Sequence, residues 1–378
     1  MTELSEPPKA AAGLRLGGTR LPLLDRARVY ACGITPYDVT HLGHAAAFVW
    51  VDVLARVLRS IGVEALVCRN VTDVDDVLTE AAHRAGAYFD AFASVHQFQF
   101  DQDMTALGVR PPQFEPRARR HVGQVVALAA ALLESGAAYQ RAGSVYFRGG
   151  GVAGREGISR DEALRLAAEY GDHPEDPAKD DELDAALWRR SEAGEPGWPS
   201  PWGVGRPGWH AECAAMSLSV LGLAVDVQCG GADLRFPHHA YQAAIAEALT
   251  GVRPYARARF SVGVVGVDGE KMAKSTGNLV LVADVLRDHP AAALRLCLLD
   301  RPWAQPWDYT VACLEAASAR LERLYSAAGR PEADGPAAVA EVMAALRANL
   351  DVPAALAVAE EAGGAAARNL IAILGLGE

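Results

Sequence analysis

Two apolar runs of strand length, each followed by a helical pattern, restrict this chain to an α/β architecture. Residues 28–34 read RVYACGI. Beyond them Trp50, Val53, Leu54, Val57, Leu58 and Ile61 recur at helical spacing, with Asp52, Arg56 and Arg59 on the opposite, polar face. A second run, Val63–Cys68, leads through RNVTDVDD into another helix rich in alanine and glutamate. Strand–helix–strand–helix is the pattern of a parallel sheet covered by helices. Asp73, Asp75 and Asp76 stand where the second helix needs caps.

Further helical patterns cover 89–107 and 117–135. From Gly149 to Gly208 glycine, proline and charge take over, with one short helical piece near 160–170. This stretch reads as an insertion that folds over the sheet and supplies a mobile flap. Order returns with a helix (GWHAECAAMSLSVLG), a strand (AVDVQCGG) and a helix from Pro237. A strand (ARFSVGVVGV) then meets the loop DGEKMAKSTGN, and beyond Ala291 the chain reads as helical apart from a linker at 329–336.

The formal net charge of −11 argues against a general affinity for polyanions such as nucleic acid. The longest apolar run, Val125–Leu133, is far short of the roughly 20 residues that span a bilayer. The N-terminal stretch lacks the apolar core of a signal peptide, so a cytoplasmic enzyme is expected. Six cysteines in 378 residues do not form a disulfide framework. Cys68, Cys229, Cys297 and Cys313 sit in apolar surroundings, whereas Cys32 and Cys213 have histidines and glycines nearby.

Two short motifs suggest chemistry on phosphate. His41-Leu42-Gly43-His44 opens the helix after the first strand, where unpaired N–H groups and the helix dipole attract anions. Taken alone, two histidines at that spacing are more often surface or core residues. Lys271 and Lys274 stand three apart in a glycine-flanked loop, as an arm closing over polyphosphate would require; a solvated loop has the same composition.

Together the two motifs resemble the signatures of class I aminoacyl-tRNA synthetases, His-x-Gly-His early and Lys-Met-Ser-Lys-Ser late, the latter here Lys271-Met272-Ala273-Lys274-Ser275. The segments YACGITPYD, NVTDVDD, DAALWRRSEAGEPGWPSPWGVGRPGWHAECAAMS and GGADLRFPHH narrow the resemblance to cysteinyl-tRNA synthetases and their shorter relatives, the cysteine ligases of mycothiol biosynthesis. It spans about residues 28–300. The implied fold is a Rossmann-like catalytic domain, a parallel sheet with helices on both faces, followed by a C-terminal helical bundle. The implied boundaries are 1–27 for an N-terminal segment, 28–300 for the catalytic domain with an insertion at about 111–208, and 301–378 for the bundle.

The resemblance also implies site residues. Cys32, Cys213 and His238 would hold one zinc, leaving a position for the thiolate of the substrate cysteine. Thr35 would lie near its amino group and Trp209 beside its sulfur, with Gly33 and Ile34 in the same turn. Asn70, Val71 and Thr72 would face the adenylate, and Gly231, Ala232 and Asp233 the ribose. Val264 would present its backbone to adenine, and Ala47 stands where the family usually has threonine. His41, His44, Lys271 and Lys274 would stabilise charge on the phosphates of ATP, which enters with Mg2+.

Three features separate the two relatives. Gln242 occupies the place of a glutamate that serves the synthetases as a fourth zinc ligand. CGITPYD is the ligase form of the opening segment. After LRANLDVPAALAV the sequence has neither a basic tail nor an aromatic platform for tRNA. The expected reaction is therefore ATP-dependent transfer of cysteine to the amine of glucosaminyl-inositol, by a monomer that engages neither nucleic acid nor membrane. A truncated cysteinyl-tRNA synthetase and an inactive cysteine-sensing paralogue are the alternatives, the latter suggested by Ala47, Ala273 and Gln242.

Overall fold

The computed structural model describes residues 13–37, 39–192, 194–272, 276–331 and 335–377. A small hairpin, β1 (Arg15–Leu16) and β2 (Thr19–Arg20), precedes the long strand β3 (Arg26–Ile34), helix α1 (Leu42–Ser60) and strand β4 (Glu64–Val71). Helices α2 (Asp76–Arg84), α3 (Phe89–Ala106) and α4 (Val122–Glu134) follow. The inserted region then builds β5 (Ala138–Arg141), β6 (Ser144–Phe147), α5 (Val152–Arg155), α6 (Arg160–Glu169), β7 (Ala185–Arg190) and β8 (Gly205–Pro207). Helix α7 (Trp209–Leu221), β9 (Val225–Gly231), α8 (Ala240–Thr250) and β10 (Ala256–Val262) return the chain to the main sheet.

That sheet has the order β10-β9-β3-β4 and is parallel throughout. Strand β3 is central because the chain first winds to β4 on one side and later to β9 on the other. Ligands of such sheets bind outside the carboxyl ends of the strands, where the winding reverses. In this chain those ends are Cys32–Ile34, Asn70–Val71 and Gly230–Gly231.

Alternation along β3 assigns its side chains to two faces. Val29 and Ala31 join the core that contains α1, whereas Tyr30 and Cys32 join a second core with Cys213 and Met216 of α7. Helix α7 is buried nearly all round. Cys213 and Met216 meet β3, while Ala211, Ala214 and Ala215 pack toward the inserted sheet. Gly33 is required where β3 crosses β4, since a Cβ there would lie 1.6 Å from the Asn70 carbonyl oxygen.

Several sequence expectations need correction. The inserted region contains an antiparallel sheet of order β5-β6-β7-β8, whose strands are too short to stand out against the glycine and proline around them. The single strand expected over 258–267 breaks at Gly263, which packs against the Gln305–Pro306 backbone, and resumes as β11 (Val265–Val267). Strand β11 pairs with β12 (Glu270–Lys271) and, after helices α9 (Val282–Asp288) and α10 (Ala291–Leu299), with β13 (Trp307–Asp308). The helix expected from Pro237 is present: a π-helical turn over Arg235–His239, extended only at Phe236, runs directly into α8 at Ala240. Helices α11 (Val311–Ala328), α12 (Gly335–Arg347), α13 (Val352–Ala362) and α14 (Gly364–Leu374) complete the chain and share the apolar core of α1. Among the described residues no helix is long and apolar enough to cross a membrane.

The supposed polar face of α1 is buried in part, because α10 and α14 cover it. Asp52 and Arg56 are each 4% exposed and Arg295 of α10 is 1% exposed. Arg56 Nε donates to Asp52 Oδ2 at 2.8 Å, and the Arg295 guanidinium meets the same oxygen. The remaining guanidinium donors reach carbonyls of Leu107, Gly108, Ala372 and Leu374, so the charges are hydrogen-bonded as burial requires. Removing the one anion leaves two buried cations opposed. Asp52→Ala should cost about 3–5 kcal/mol of stability, read from urea unfolding midpoints. A loss under about 1 kcal/mol would show that the carbonyls alone carry the arginines.

Candidate active site

The carboxyl ends of the four parallel strands open into one cleft of about 550 Å³, within the size range of small-molecule sites. Three groups of residues meet there.

The first group sits at the end of β3, on α7 and before α8. Cys32 Sγ, Cys213 Sγ and one ring nitrogen of His238 all lie within 4.8 Å of one another, and all three residues line the cleft. Each is buried and neither cysteine is in a disulfide. Burial alone would raise the Cys213 thiol, but hydrogen bonding with Cys32 and the adjacent His238 and Tyr30 hold it well below the usual thiol range. Burial, followed by the hydrogen bond with Cys213 and then its charge, pushes Cys32 up. Burial lowers His238 to about 4, so its ring is neutral at pH 7, as a metal ligand must be. Two soft sulfurs and one imidazole suit zinc, and three ligands leave a position facing the cleft.

Around this triad the neighbours are fixed by hydrogen bonds. Asn70 Nδ2 donates to Cys213 Sγ at 3.4 Å, and its Oδ1 accepts from Gly33 N at 3.0 Å. Trp209 stacks on the His238 ring with centroids 4.0 Å apart. Thr35 and Thr72 share a hydroxyl–hydroxyl bond of 2.7 Å. Gln242 is fully engaged. Its Nε2 donates to the Cys213 carbonyl and the Tyr255 hydroxyl, and its Oε1 accepts from Gln228 Nε2 at 2.8 Å while facing Cys32 Sγ at 3.8 Å. Position 242 thus presents a neutral, hydrogen-bonded amide beside Cys32.

The second group is the start of α1. His41 caps the helix, its Nδ1 accepting from Gly43 N at 3.1 Å, and its ring stacks on His44 with centroids 3.9 Å apart. Gly43 has no room for a side chain, because a Cβ would lie 2.8 Å from His41 Cε1. Both imidazoles and the start of α1 therefore line the cleft together.

The third group comes from β9 and the lysine loop. Lys271 Nζ donates to Asp233 Oδ2 at 2.7 Å and lies 5.5 Å from the Tyr170 ring centroid. Gly231 and Val264 line the same wall, and the Val264 carbonyl accepts from Trp307 N at 3.1 Å.

Of the residues singled out in the sequence, Cys32, Gly33, Ile34, Thr35, His41, His44, Ala47, Asn70, Thr72, Trp209, Cys213, Gly231, Asp233, His238, Val264 and Lys271 line this cleft. Val71 and Ala232 lie between lining residues without lining it themselves. Lys274, with Ala273 and Ser275, falls outside the described residues. Asp75 caps α2 by accepting from Val77 N. Asp73 and Asp76 instead hold Arg119 and Arg206.

Sequence reasoning passed over Tyr37 and Thr40, which also line the cleft, as does Tyr170 from the inserted region. Isolated tyrosines and threonines carry no spacing signal. It also passed over Glu212, inside the Trp-His-x-Glu-Cys motif. Its carboxyl is wholly buried without a hydrogen-bond partner among the described residues, and burial, then Cys213 and Asp75, raise it well above the usual carboxylate range.

Comparison with known proteins agrees with this geometry. Residues 23–319 match the family described as tRNA synthetases class I (C) catalytic domain. The chain is 44% identical over 351 residues, 88% of its length and 83% of the relative's, to the L-cysteine:1D-myo-inositol 2-amino-2-deoxy-alpha-D-glucopyranoside ligase of Mycobacterium tuberculosis. It is 44% identical over 340 residues, 88% and 82% of the two lengths, to the protein of the same name from Mycolicibacterium smegmatis. Among solved structures, methionyl-tRNA synthetase of Mycobacterium tuberculosis bound by methionyl-adenylate superposes with a TM-score of 0.65 at 17% identity, covering 92% of this chain and 84% of that one. At that identity the likeness concerns the fold alone. The chain belongs to the class I tRNA synthetase catalytic-domain family, among the L-cysteine:1D-myo-inositol 2-amino-2-deoxy-alpha-D-glucopyranoside ligases.

Proposed function

We propose that this protein activates L-cysteine with ATP and transfers the cysteinyl group to the amine of glucosaminyl-inositol, the step that builds the amide of mycothiol. The observation that carries the reading is one cleft holding three things. The Cys32–Cys213–His238 triad suited to zinc, the His41–His44 helix start and the Lys271–Asp233 pair all line it.

Cys32, Cys213 and His238 would hold zinc, which would supply a soft Lewis acid matched to the substrate's sulfur. Thr35 and Trp209 then enclose the amino acid, with its carboxylate directed toward the phosphates. A carboxylate oxygen bonds to the α-phosphorus of ATP, and pyrophosphate leaves with the electron pair of the broken P–O bond. His41, His44 and the α1 N-terminus stabilise the charge that gathers on the leaving group, together with Mg2+. Asp233 accepts from the ribose hydroxyls, which compete with Lys271 for this carboxylate. ATP binding therefore exchanges the Lys271–Asp233 ion pair for contacts of Lys271 with phosphate, and Lys274 joins it from the same loop. Val264 offers its backbone to the base. In the second half-reaction the neutral amine attacks the acyl carbon, AMP leaves with the bonding pair, and the ammonium formed gives its proton to solvent.

Gln242 is the feature that favours an amino sugar over tRNA as acceptor. Zinc held by two thiolates and a neutral imidazole would form a centre of zero net charge. A carboxylate at 242 would make it anionic before the substrate thiolate arrives. The formal net charge of −11 further disfavours the many phosphate contacts a tRNA needs. Action in the cytoplasm, as a monomer on small molecules and apart from nucleic acid and membrane, completes the reading.

The test is single-turnover transfer from preformed cysteinyl adenylate, with glucosaminyl-inositol in one reaction and cysteine tRNA in the other. The expected result is an amide of the amino sugar, identified by mass, and no charged tRNA. Its rate should rise with pH toward the pKa of the acceptor amine, because only the neutral amine attacks. Charged tRNA with the sugar untouched identifies a truncated cysteinyl-tRNA synthetase. Absence of any adenylate from ATP and cysteine identifies an inactive cysteine-binding paralogue.

A further inference from the structure

We propose that Asp172 and His210 form a positioning relay that fixes the proton of His238 and thereby sets the metal affinity of the cleft. The proposal rests on the metal reading of Cys32, Cys213 and His238. His210, the second residue of α7, is 1% exposed and does not line the cleft. Its Nε2 lies 2.9 Å from Asp172 Oδ2, and its Nδ1 lies 2.9 Å from His238 Nδ1.

The proton positions follow from what each atom can do. A carboxylate accepts only, so a His210 ring with a single N–H carries that hydrogen on Nε2, pointing at Asp172. Nδ1 of His210 is then a lone pair, and it accepts the Nδ1 hydrogen of His238. A neutral His238 with hydrogen on Nδ1 keeps its lone pair on Nε2. That nitrogen is the one left for a metal, and the relay makes it a stronger donor by drawing the other hydrogen away. Without an acceptor chain, His238 would divide between two tautomers, one of which offers the metal an N–H. Ring packing holds the arrangement in place. Trp209 stacks on His238, and Tyr241 stacks on His210 with centroids 5.3 Å apart.

Asp172 does not belong to the sheet that carries the site. It stands just past α6, in the inserted region, two residues after Tyr170, whose ring faces Lys271. The inserted region thus reaches both the metal triad and the phosphate-binding lysine through one turn. This gives it a function in the activation half-reaction, beyond covering the cleft.

The experiment measures zinc affinity by competition with a chelator of known affinity, and the absorption spectrum of the cobalt-substituted protein. Asp172→Leu and His210→Phe each remove the relay while keeping the space filled; Asp172→Asn keeps a carbonyl acceptor and serves as the conservative variant. The expected result is a 10- to 100-fold loss of zinc affinity in the first two, with a changed cobalt spectrum and an unchanged melting midpoint of the metal-free protein. Asp172→Asn should recover most of the affinity. Should Asp172→Leu not fold, His210→Phe decides by the same readings. Zinc affinity within twofold of the parent would overturn the relay, as would a loss matched by a fall in the metal-free midpoint, which marks a structural role. If the parent binds zinc no better than Cys213→Ala, the metal reading itself fails, and the relay with it.

Discussion

Serine should support adenylate formation at least about 10⁴-fold less efficiently than cysteine, measured as kcat/KM for pyrophosphate exchange into ATP. The two amino acids differ by one atom, and a pocket that selects by size yields only about 10–200-fold for a difference of that order. The cleft offers another means of selection. Cys32, Cys213 and His238 open into the same space as Thr35 and Trp209, so the substrate side chain reaches the place a metal would occupy. A thiolate is a strong, soft ligand there, whereas a hydroxyl is a weak one that leaves the metal undersaturated. The triad offers three donors, and Gln242 is locked in hydrogen bonds to Gln228, Tyr255 and the Cys213 carbonyl, so its amide does not compete for the position. Activation of serine within 10²-fold of cysteine would mean that selection rests on pocket size, as in apolar sites.

The parallel sheet was legible because the β3 and β4 runs are continuous and apolar, as strands buried on both faces must be. The start of α1 was legible because His41-Leu42-Gly43-His44 stands between a strand and a helical pattern, a short loop after β3. The Cys32–Cys213–His238 cluster was not legible from spacing, since its members come from three distant segments. Two physical facts bring them together: Cys32 points to the α7 face of β3 by strand alternation, and Cys213 lies on the α7 face that packs there. Only the likeness of whole motifs to a known family pointed to the set beforehand.

What escaped the sequence has a common cause. Asp52 and Arg56 read as a solvated helix face, and only α10 and α14, far along the chain, bury them. Asp172 reads as one acidic residue in a polar flap, and only the fold sets it 2.9 Å from His210. The inserted sheet was hidden because strands of three to six residues between glycines carry too little pattern. Polar residues whose partners are remote in sequence look alike until the chain is folded.

Cys213→Ala should lose the metal and, with it, the discrimination against serine. The parent is expected to hold about one zinc per chain after gel filtration and the variant less than about a tenth, since metal affinity depends on the full, deprotonated ligand set. Two neighbouring cysteines provide the controls. Cys229 lies on β9 in the core shared with α1, and burial alone pushes its thiol up. Cys68 faces the same core as Cys213, yet burial, followed by the Cys213 charge, pushes it up to about 12, so it remains a protonated thiol at neutral pH. Neither is in the triad, and alanine at either should leave zinc content unchanged at a stability cost of about 1 kcal/mol for the small cavity. Cys213 differs because Cys32, His238 and Tyr30 favour its thiolate, the form that binds metal. In the variant, residual activation of cysteine should fall to the level of serine, because both then meet a cleft without a thiolate-binding centre. Full zinc occupancy in Cys213→Ala, or a cysteine preference that persists once zinc is gone, would remove the metal from the account of specificity and leave Trp209 and Thr35 to explain it.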